Sequence, residues 1–215
     1  YRGYDSAGIC TIQDNSLNLT KVKGRVSNIK HVQLAGIIGI GHTRWATHGQ
    51  PADCNAHPFI DQNKEFALVH NGIIENYLEL KEGLRMAGVR FTSDTDSEVI
   101  VHLIAHAYHG DLKEAVLAVI PKLRGAYALC VIHNTTNEIV AARNGSPLII
   151  GKGNGENFFA SDVSALVKHT KEVIYVNDFE ITKITANSIE IFDFNGKDRP
   201  IVVNKIHWDI EQAQK

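Results

Sequence analysis

The 215-residue sequence is short of several things, and each shortage narrows what the chain can be. It holds three cysteines, Cys10, Cys54 and Cys130, odd in number and widely spaced. That argues against a disulfide framework and fits a reducing cytoplasm. It has no apolar run near 18 residues and no charged-then-apolar leader pattern, so neither a membrane span nor secretion is expected. Positive charge is not in excess: 22 basic against 24 acidic side chains give −2, which argues against nucleic-acid or membrane-surface partners. No internal repeat, low-complexity tract or Pro-, Gly- and Ser-rich linker divides the chain, so one domain over residues 1–215 is expected. A chain of this size buries about 70% of its unfolded surface and needs no metal or disulfide staple.

What is present is patterned from the first residues. Short apolar runs bounded by turn residues predict strands at Gly8–Ile12, Leu17–Val22, Ile37–Gly41 and Phe66–His70. A second group is expected at Ala126–His133, Glu138–Ala142, Leu148–Ile150, Phe158–Ala160, Val173–Val176, Glu180–Ile184 and Ser188–Phe192. A turn over Asn195–Pro200 precedes a last expected strand at Ile201–Val203. Helices are expected at Arg25–Leu34, with Val26, Ile29 and Leu34 inward, and at Glu75–Met86, with Leu78, Leu80 and Leu84 inward and a stop at Gly88. A third, Asp96–His109, is apolar nearly all round, as a helix buried between layers is. A fourth, Asp111–Leu123, ends near Pro121. Strands, then helices, then strands without βαβ alternation predict an α+β fold with antiparallel sheets.

Three stretches concentrate polar side chains. Gly41–Gly49, GHTRWATHG, is expected to follow a strand as a loop, and its Arg44 offers a bidentate fork for a carboxylate. A structural ion pair for Arg44 and a core role for Trp45 are the alternatives. Asn71-Gly72 reads first as a tight turn, yet an amide beside a glycine N–H also makes a pair of oxyanion donors. In Ser93–Ile100, Thr95 and Glu98 have capping-box spacing. Asp94 and Glu98 suit a helix start, while Asp96 could reach a substrate ammonium and form, with Arg44, a clamp for an α-amino acid.

Other features carry less. His42, His48, His57 and His70 lie close in sequence without a HExxH or CxxC pattern, so no metal is expected. Gly151–Glu156, GKGNGE, lacks the ending of a phosphate loop and reads as a hairpin turn. Cys10 and Cys130 sit in apolar strands as inert core, and Cys54 in a polar loop near His57 is a poor nucleophile. The residues thus give a clamp and an oxyanion hole, but no nucleophile.

The stretches YRGYDSAG, GHTRWATHGQP, NAHP, HNGIIENY, SDTDSEVI, LRGAYAL, GSPLIIG and FFASD, in this order, resemble the glutaminase domain of the glutamine–fructose-6-phosphate aminotransferases, which are class II glutamine amidotransferases. The resemblance spans essentially the whole chain. It implies an N-terminal nucleophile hydrolase fold, a four-layer αββα sandwich of two antiparallel sheets. It implies hydrolysis of L-glutamine to glutamate and ammonia, without a cofactor, by an amino-terminal cysteine whose own α-amino group acts as base.

By the same resemblance Arg44 binds the glutamine α-carboxylate with Thr47 and His48 beside it, Asp96 binds the α-ammonium, and Asn71 with Gly72 forms the oxyanion hole. Arg2 lies near the nucleophile, Trp45 gates an ammonia channel, and His57 belongs to a closing loop. A C-terminal sugar-phosphate isomerase domain, a homodimer and a cytoplasmic location are implied for the parent. The cysteine and first strand expected ahead of Tyr1 are not in this sequence, so the chain as given is expected to be a cut fragment, inactive alone. A glutamine-binding module without catalysis, a metalloprotein built on the histidines, and an amidotransferase feeding another acceptor are the competing readings.

Overall fold

The computed structural model describes residues 4–29, 35–45 and 49–207; Arg2, Leu34, Thr47 and His48 lie outside these. Its strands are β1 Ser6–Gln13, β2 Ser16–Lys23, β3 Ile38–Arg44, β4 Phe59–Ile60, β5 Phe66–Ile74, β6 Gly125–His133, β7 Ile139–Asn144, β8 Ile149–Lys152, β9 Asn157–Ala160, β10 Glu172–Tyr175, β11 Glu180–Ile184, β12 Ile189–Asp193 and β13 Asn204–Lys205. The helices α1 Tyr77–Met86, α2 Ser97–Ala107 and α3 Leu112–Val119 fall between β5 and β6.

All strand pairs are antiparallel. They form a six-stranded sheet in the order β12-β11-β7-β6-β5-β4, a three-stranded sheet β2-β1-β3 and a four-stranded sheet β13-β10-β8-β9. Successive side chains of a strand face opposite ways, and the six-stranded sheet buries both faces. Leu68, Leu129, Val131 and Val140 meet Ile100, Ile104, Leu112 and Val116 of the helices. Between them in sequence, Ala67, Val69, Ala128, Cys130 and Ala141 meet Cys10 and Ile40 of the three-stranded sheet and Ile150 and Ile174 of the four-stranded one. Burial on both sides is why these strands read as continuous apolar runs rather than alternating ones.

The layers are therefore helices, one large sheet, and two smaller sheets side by side. Outside the four-stranded sheet, Leu166 and Val167, at the end of a 3₁₀ turn over Val163–Ala165, cover Ile149 and Val173. Helix α2 is enclosed as its apolar circumference predicts, packed among β4, β5, α1 and α3. Among the described residues no helix is long and apolar enough to cross a membrane.

Several expectations need correction. Arg25–Leu34 shows only a 3₁₀ turn at Val26–Asn28, and Val26 is exposed, so the expected inner face has nothing there to bury against; the segment's last five residues lie outside the described ones. Ile201–Val203 is exposed and has no partner strand among the described residues; the pairing comes just after it, in β13. Leu78 points to solvent, while Leu84 is buried and Leu80 packs against the core. β3 runs on to Arg44, so that residue sits on a strand end rather than in a loop. β4 was not foreseen: two residues are too few to show a period. The Asn71-Gly72 turn is absent. β5 continues through both residues to Ile74, paired with β6 residue by residue. GKGNGE does form a tight turn between β8 and β9, closed by the Gly153 N–H donating to the Glu156 carbonyl at 3.0 Å.

Candidate active site

A cavity of about 720 Å³ opens where the two smaller sheets approach each other over the large one. β3 and β9, each the last strand of its sheet, form its walls, and β5 and β6 its floor. Six of the residues singled out from the sequence line it together: Arg44, Trp45, His57, Asn71, Gly72 and Asp96. They come from four separate segments, so only the fold brings them together. Arg2, Thr47 and His48 lie outside the described residues.

Arg44, almost fully buried at the end of β3, is oriented by two fixed acceptors. Its Nη1 lies 3.5 Å from Asp5 Oδ1 and its Nη2 donates to the Gly49 carbonyl at 2.9 Å. The structural ion pair weighed from the sequence is thus real, and it positions a guanidinium in the cavity wall. Asp5 itself is held by the register of β1 on β3, its N–H donating to the Arg44 carbonyl at 3.0 Å.

Asp96 is buried just before α2 and does not cap it. Its Oδ2 accepts the Ile74 N–H at 2.8 Å. Among the described residues its Oδ1 receives only a long 3.4 Å contact from the Ser97 hydroxyl and keeps acceptor capacity. Capping-box geometry does not form with Thr95. Glu98 instead reaches further back and accepts from the N–H and hydroxyl of both Thr92 and Ser93, at 2.6–2.8 Å. Burial alone would raise this carboxyl, but the His102 imidazole 3.6 Å away and the bonds from Ser93 and Thr92 outweigh it and hold the group at about 2. The loop before α2 is thereby pinned to the helix. A neighbouring bond extends the bracing: Asn55 Oδ1 accepts from Asp94 N–H at 3.0 Å, while its amide donates to the Gln50 carbonyl at 2.9 Å. The same polar seam therefore ties residues 50–55 to the edge of the cavity.

Gly72 lies within β5 at φ +122°, the left-handed half of the map that side chains avoid. A Cβ there would overlap the Ala126 carbonyl across the ladder. This kink in a paired strand sits directly after Asn71, whose Oδ1 is 2.8 Å from His42 Nε2. Behind His42 stands His57, ring centroids 4.2 Å apart, and on the same floor His70 Nδ1 pairs with Ser97 Oγ at 2.8 Å. Burial pushes all three imidazoles down, His70 to about 4, so they stand neutral at pH 7. Sequence reasoning weighed His42 and His70 only as metal ligands; their neighbours in the two motifs gave no signal of these pairings. Among the described residues no group of three or more His, Cys, Asp or Glu could hold a metal ion.

The cysteines are poorly suited to attack. Burial pushes the Cys10 and Cys130 thiols up to about 12, although Cys130 lines the cavity. Cys54 is exposed and does not line it. Trp45 stands at the rim, 59% exposed.

Comparison with known proteins bears on the family and the fold. A family profile described as "Glutamine amidotransferase domain" matches residues 42–168. Glutamine–fructose-6-phosphate aminotransferase (isomerizing) of Aquifex aeolicus is 50% identical over the whole of this chain and 37% of its own length. The enzyme of the same name from Thermus thermophilus is 48% identical, again over the whole chain and 36% of its own length. The chain thus spans little more than a third of the curated relatives it matches. Among solved structures, the glutamine phosphoribosylpyrophosphate amidotransferase of B. subtilis superposes with a TM-score of 0.76 at 30% identity, over 89% of this chain and 43% of that one. A class-II glutamine aminotransferase domain protein from Silicibacter pomeroyi shares the fold at a TM-score of 0.63 and 16% identity, over 88% and 91% of the two chains. The architecture is the αββα sandwich of the N-terminal nucleophile amidotransferases.

Proposed function

The chain belongs to the glutamine amidotransferase domain family, and from that premise we propose that its cavity binds L-glutamine and supports hydrolysis of the side-chain amide. The observation that carries this reading is the meeting of Arg44, Asn71, Gly72 and Asp96, from distant segments, around one cavity of about 720 Å³. Arg44 takes the α-carboxylate and Asp96 the α-ammonium, which leaves the amide to reach towards Asn71 and Gly72. A thiolate adds to the amide carbon, and the Asn71 Nδ2 and Gly72 N–H donors hold the oxyanion. The proton that the thiol gave up to its own α-amino group passes to the amide nitrogen, the C–N bond breaks with loss of ammonia, and water then cleaves the glutamyl thioester to glutamate and free thiol. Donors of this kind are worth about 3–4 kcal/mol each when well placed.

The attacking thiol is assigned to none of Cys10, Cys54 and Cys130. It is proposed to arrive on an extended segment outside the sequence given, lying between β3 and β9, each of which has one edge without a strand partner among the described residues. On this reading the 215 residues alone are inactive. Arg2, Thr47 and His48 keep the roles that the resemblance implies for them, Trp45 closes the cavity on the ammonia side, and His57 belongs to the wall behind it.

For the whole protein, the names of the relatives support transfer of the ammonia to fructose 6-phosphate, giving glucosamine 6-phosphate. A C-terminal sugar-phosphate isomerase region, a homodimer and a cytoplasmic location belong to the same proposal.

The test is the intact mass of the polypeptide as its gene encodes it, before and after an electrophilic glutamine analogue, together with ammonia release from glutamine. One adduct on a cysteine outside Tyr1–Lys215, with ammonia release that the adduct abolishes, is the expected result. An adduct on Cys54 or Cys130 would overturn the mechanism, and neither adduct nor ammonia would overturn the function.

A further inference from the structure

A carboxamide has nearly the same shape either way round, yet only its nitrogen can stabilise an oxyanion. If Asn71 presented Oδ1 to the developing negative charge, the site would repel what it has to hold. Something must therefore fix which end of the amide faces the reaction, and the fold supplies a partner. His42, on β3, reaches across to β5 and places Nε2 2.8 Å from Asn71 Oδ1. The contact joins residues 29 apart in sequence and belongs to no secondary-structure ladder.

We propose that His42 is a positioning residue for the oxyanion hole: its Nε2–H donates to Asn71 Oδ1 and so turns the Asn71 Nδ2 hydrogens towards the reacting carbonyl. This rests on the glutamine reading above and assigns a part that reading does not contain.

The assignment depends on which nitrogen of a neutral His42 carries the proton. With the proton on Nδ1, a bare Nε2 would accept from Asn71 Nδ2 and the amide would be held the wrong way round. Asn71 turns Oδ1, which only accepts, to Nε2, so the proton stands there and Nδ1 is left bare. It is buried with no hydrogen-bond partner among the described residues, as are both ring nitrogens of His57, whose ring lies against that of His42, centroids 4.2 Å apart and planes 41° apart. His57 is packed in turn against Phe59, centroids 4.7 Å apart, at the start of β4. The loop ahead of it is tied down by Lys21 Nζ, which donates to the carbonyls of Cys54 and Ala56 at 3.2 and 3.0 Å. Asn71 is thus held by a file of two imidazoles braced from the far side of the three-stranded sheet.

Two measurements on the full encoded polypeptide test this. The first is a neutron structure, which locates the deuteron whether or not the protein hydrolyses glutamine. A deuteron on His42 Nε2 with Asn71 Oδ1 facing it supports the proposal; one on Nδ1 with Nε2 bare and the Asn71 amide reversed overturns it.

The second is kinetic. His42→Phe should lower kcat for ammonia release on the order of 10–100-fold, with KM for glutamine within about twofold, because the lost interaction acts in the transition state. His42→Gln, which can donate to the same oxygen, should recover about tenfold. Adding His42→Phe to Asn71→Ala should cost almost nothing more. Loss of KM in step with kcat, no recovery in His42→Gln, or costs that add in the double variant would each show a merely structural histidine. A wild-type polypeptide that releases no ammonia would end the glutamine reading, while the deuteron position would still decide which way His42 holds Asn71.

Discussion

Gly72 lies so close to Ala126 across the β5–β6 ladder that a Cβ on Gly72 would overlap the Ala126 carbonyl oxygen. Two constraints coincide at this one residue, since its φ of +122° is also outside the range a side chain tolerates. The strand stays paired on both sides of it, so the kink is absorbed within the sheet instead of ending it.

Gly72→Ala should therefore destabilise the fold by about 3 kcal/mol or more, read as a fall in urea midpoint at unchanged slope. Gly83→Ala is the control. Gly83 sits in α1 with ordinary helical geometry and nothing within 4 Å of a built Cβ, so alanine there should stabilise by about 0.5–1 kcal/mol. Equal effects at the two glycines would show that the ladder at Gly72 has room to relax.

Asp96 does two jobs that two substitutions can separate. Asp96→Asn keeps an oxygen for the Ile74 N–H and removes the charge. The expected result is a near-normal melting temperature with glutamine binding weakened roughly 30-fold or more in the encoded polypeptide, as for a buried charge pair that loses one partner. Asp96→Ala leaves the Ile74 N–H unpaired in the core and should cost an additional 1–3 kcal/mol or so of stability. Undiminished binding in Asp96→Asn would show that the ammonium is recognised elsewhere.

Glu98 anchors the loop that leads to Asp96. It is 1% exposed and accepts four hydrogen bonds from Thr92 and Ser93. Glu98→Ala strands the Thr92 and Ser93 N–H groups and should cost about 3–5 kcal/mol; Glu98→Gln, which keeps one carbonyl oxygen, should cost less. Because the folded carboxyl sits at about 2 against an ordinary 4.5, its contribution is complete above pH 4.5 and is lost as pH falls towards 2. Titrating stability in that window should show a steeper fall in wild type than in Glu98→Gln.

The residues that face the cavity were legible where dense polar motifs stand among apolar runs: Arg44, Asn71, Gly72 and Asp96 all fall in such stretches. Their conformations were less so. Asn-Gly favours a turn locally, but nine consecutive pairings of β5 with β6 outweigh that preference, and no local reading includes a partner strand more than 50 residues away. His42 and His70 stayed ambiguous for the same reason, since what each does is set by Asn71 and Ser97, 29 and 27 residues along the chain. The expected helix at Arg25–Leu34 rested on Val26 and Ile29 at helical spacing, and spacing has meaning only where a surface waits to cover it; Val26 is exposed. The enclosed helix α2 was readable because an apolar circumference of that length has no use at a surface.

The neutral imidazoles under the cavity make the fold sensitive to acid well before its carboxylates titrate. His57 is held far below, and His70 down at about 4, against an ordinary 6.5, chiefly by burial. Between pH 6.5 and about 4 the unfolded chain therefore binds protons that the folded chain refuses, so stability falls as pH falls through that window, by up to about 1.4 kcal/mol per pH unit for each such histidine. His57 is the cleanest place to test this, because neither of its ring nitrogens has a hydrogen-bond partner among the described residues. His57→Phe removes the proton acceptor while keeping an aromatic ring beside Phe59. Urea midpoints measured from pH 7 to pH 5 should fall more shallowly in the variant than in the wild type. Parallel curves would mean that His57 finds a charged partner on protonation and does not contribute to the acid loss.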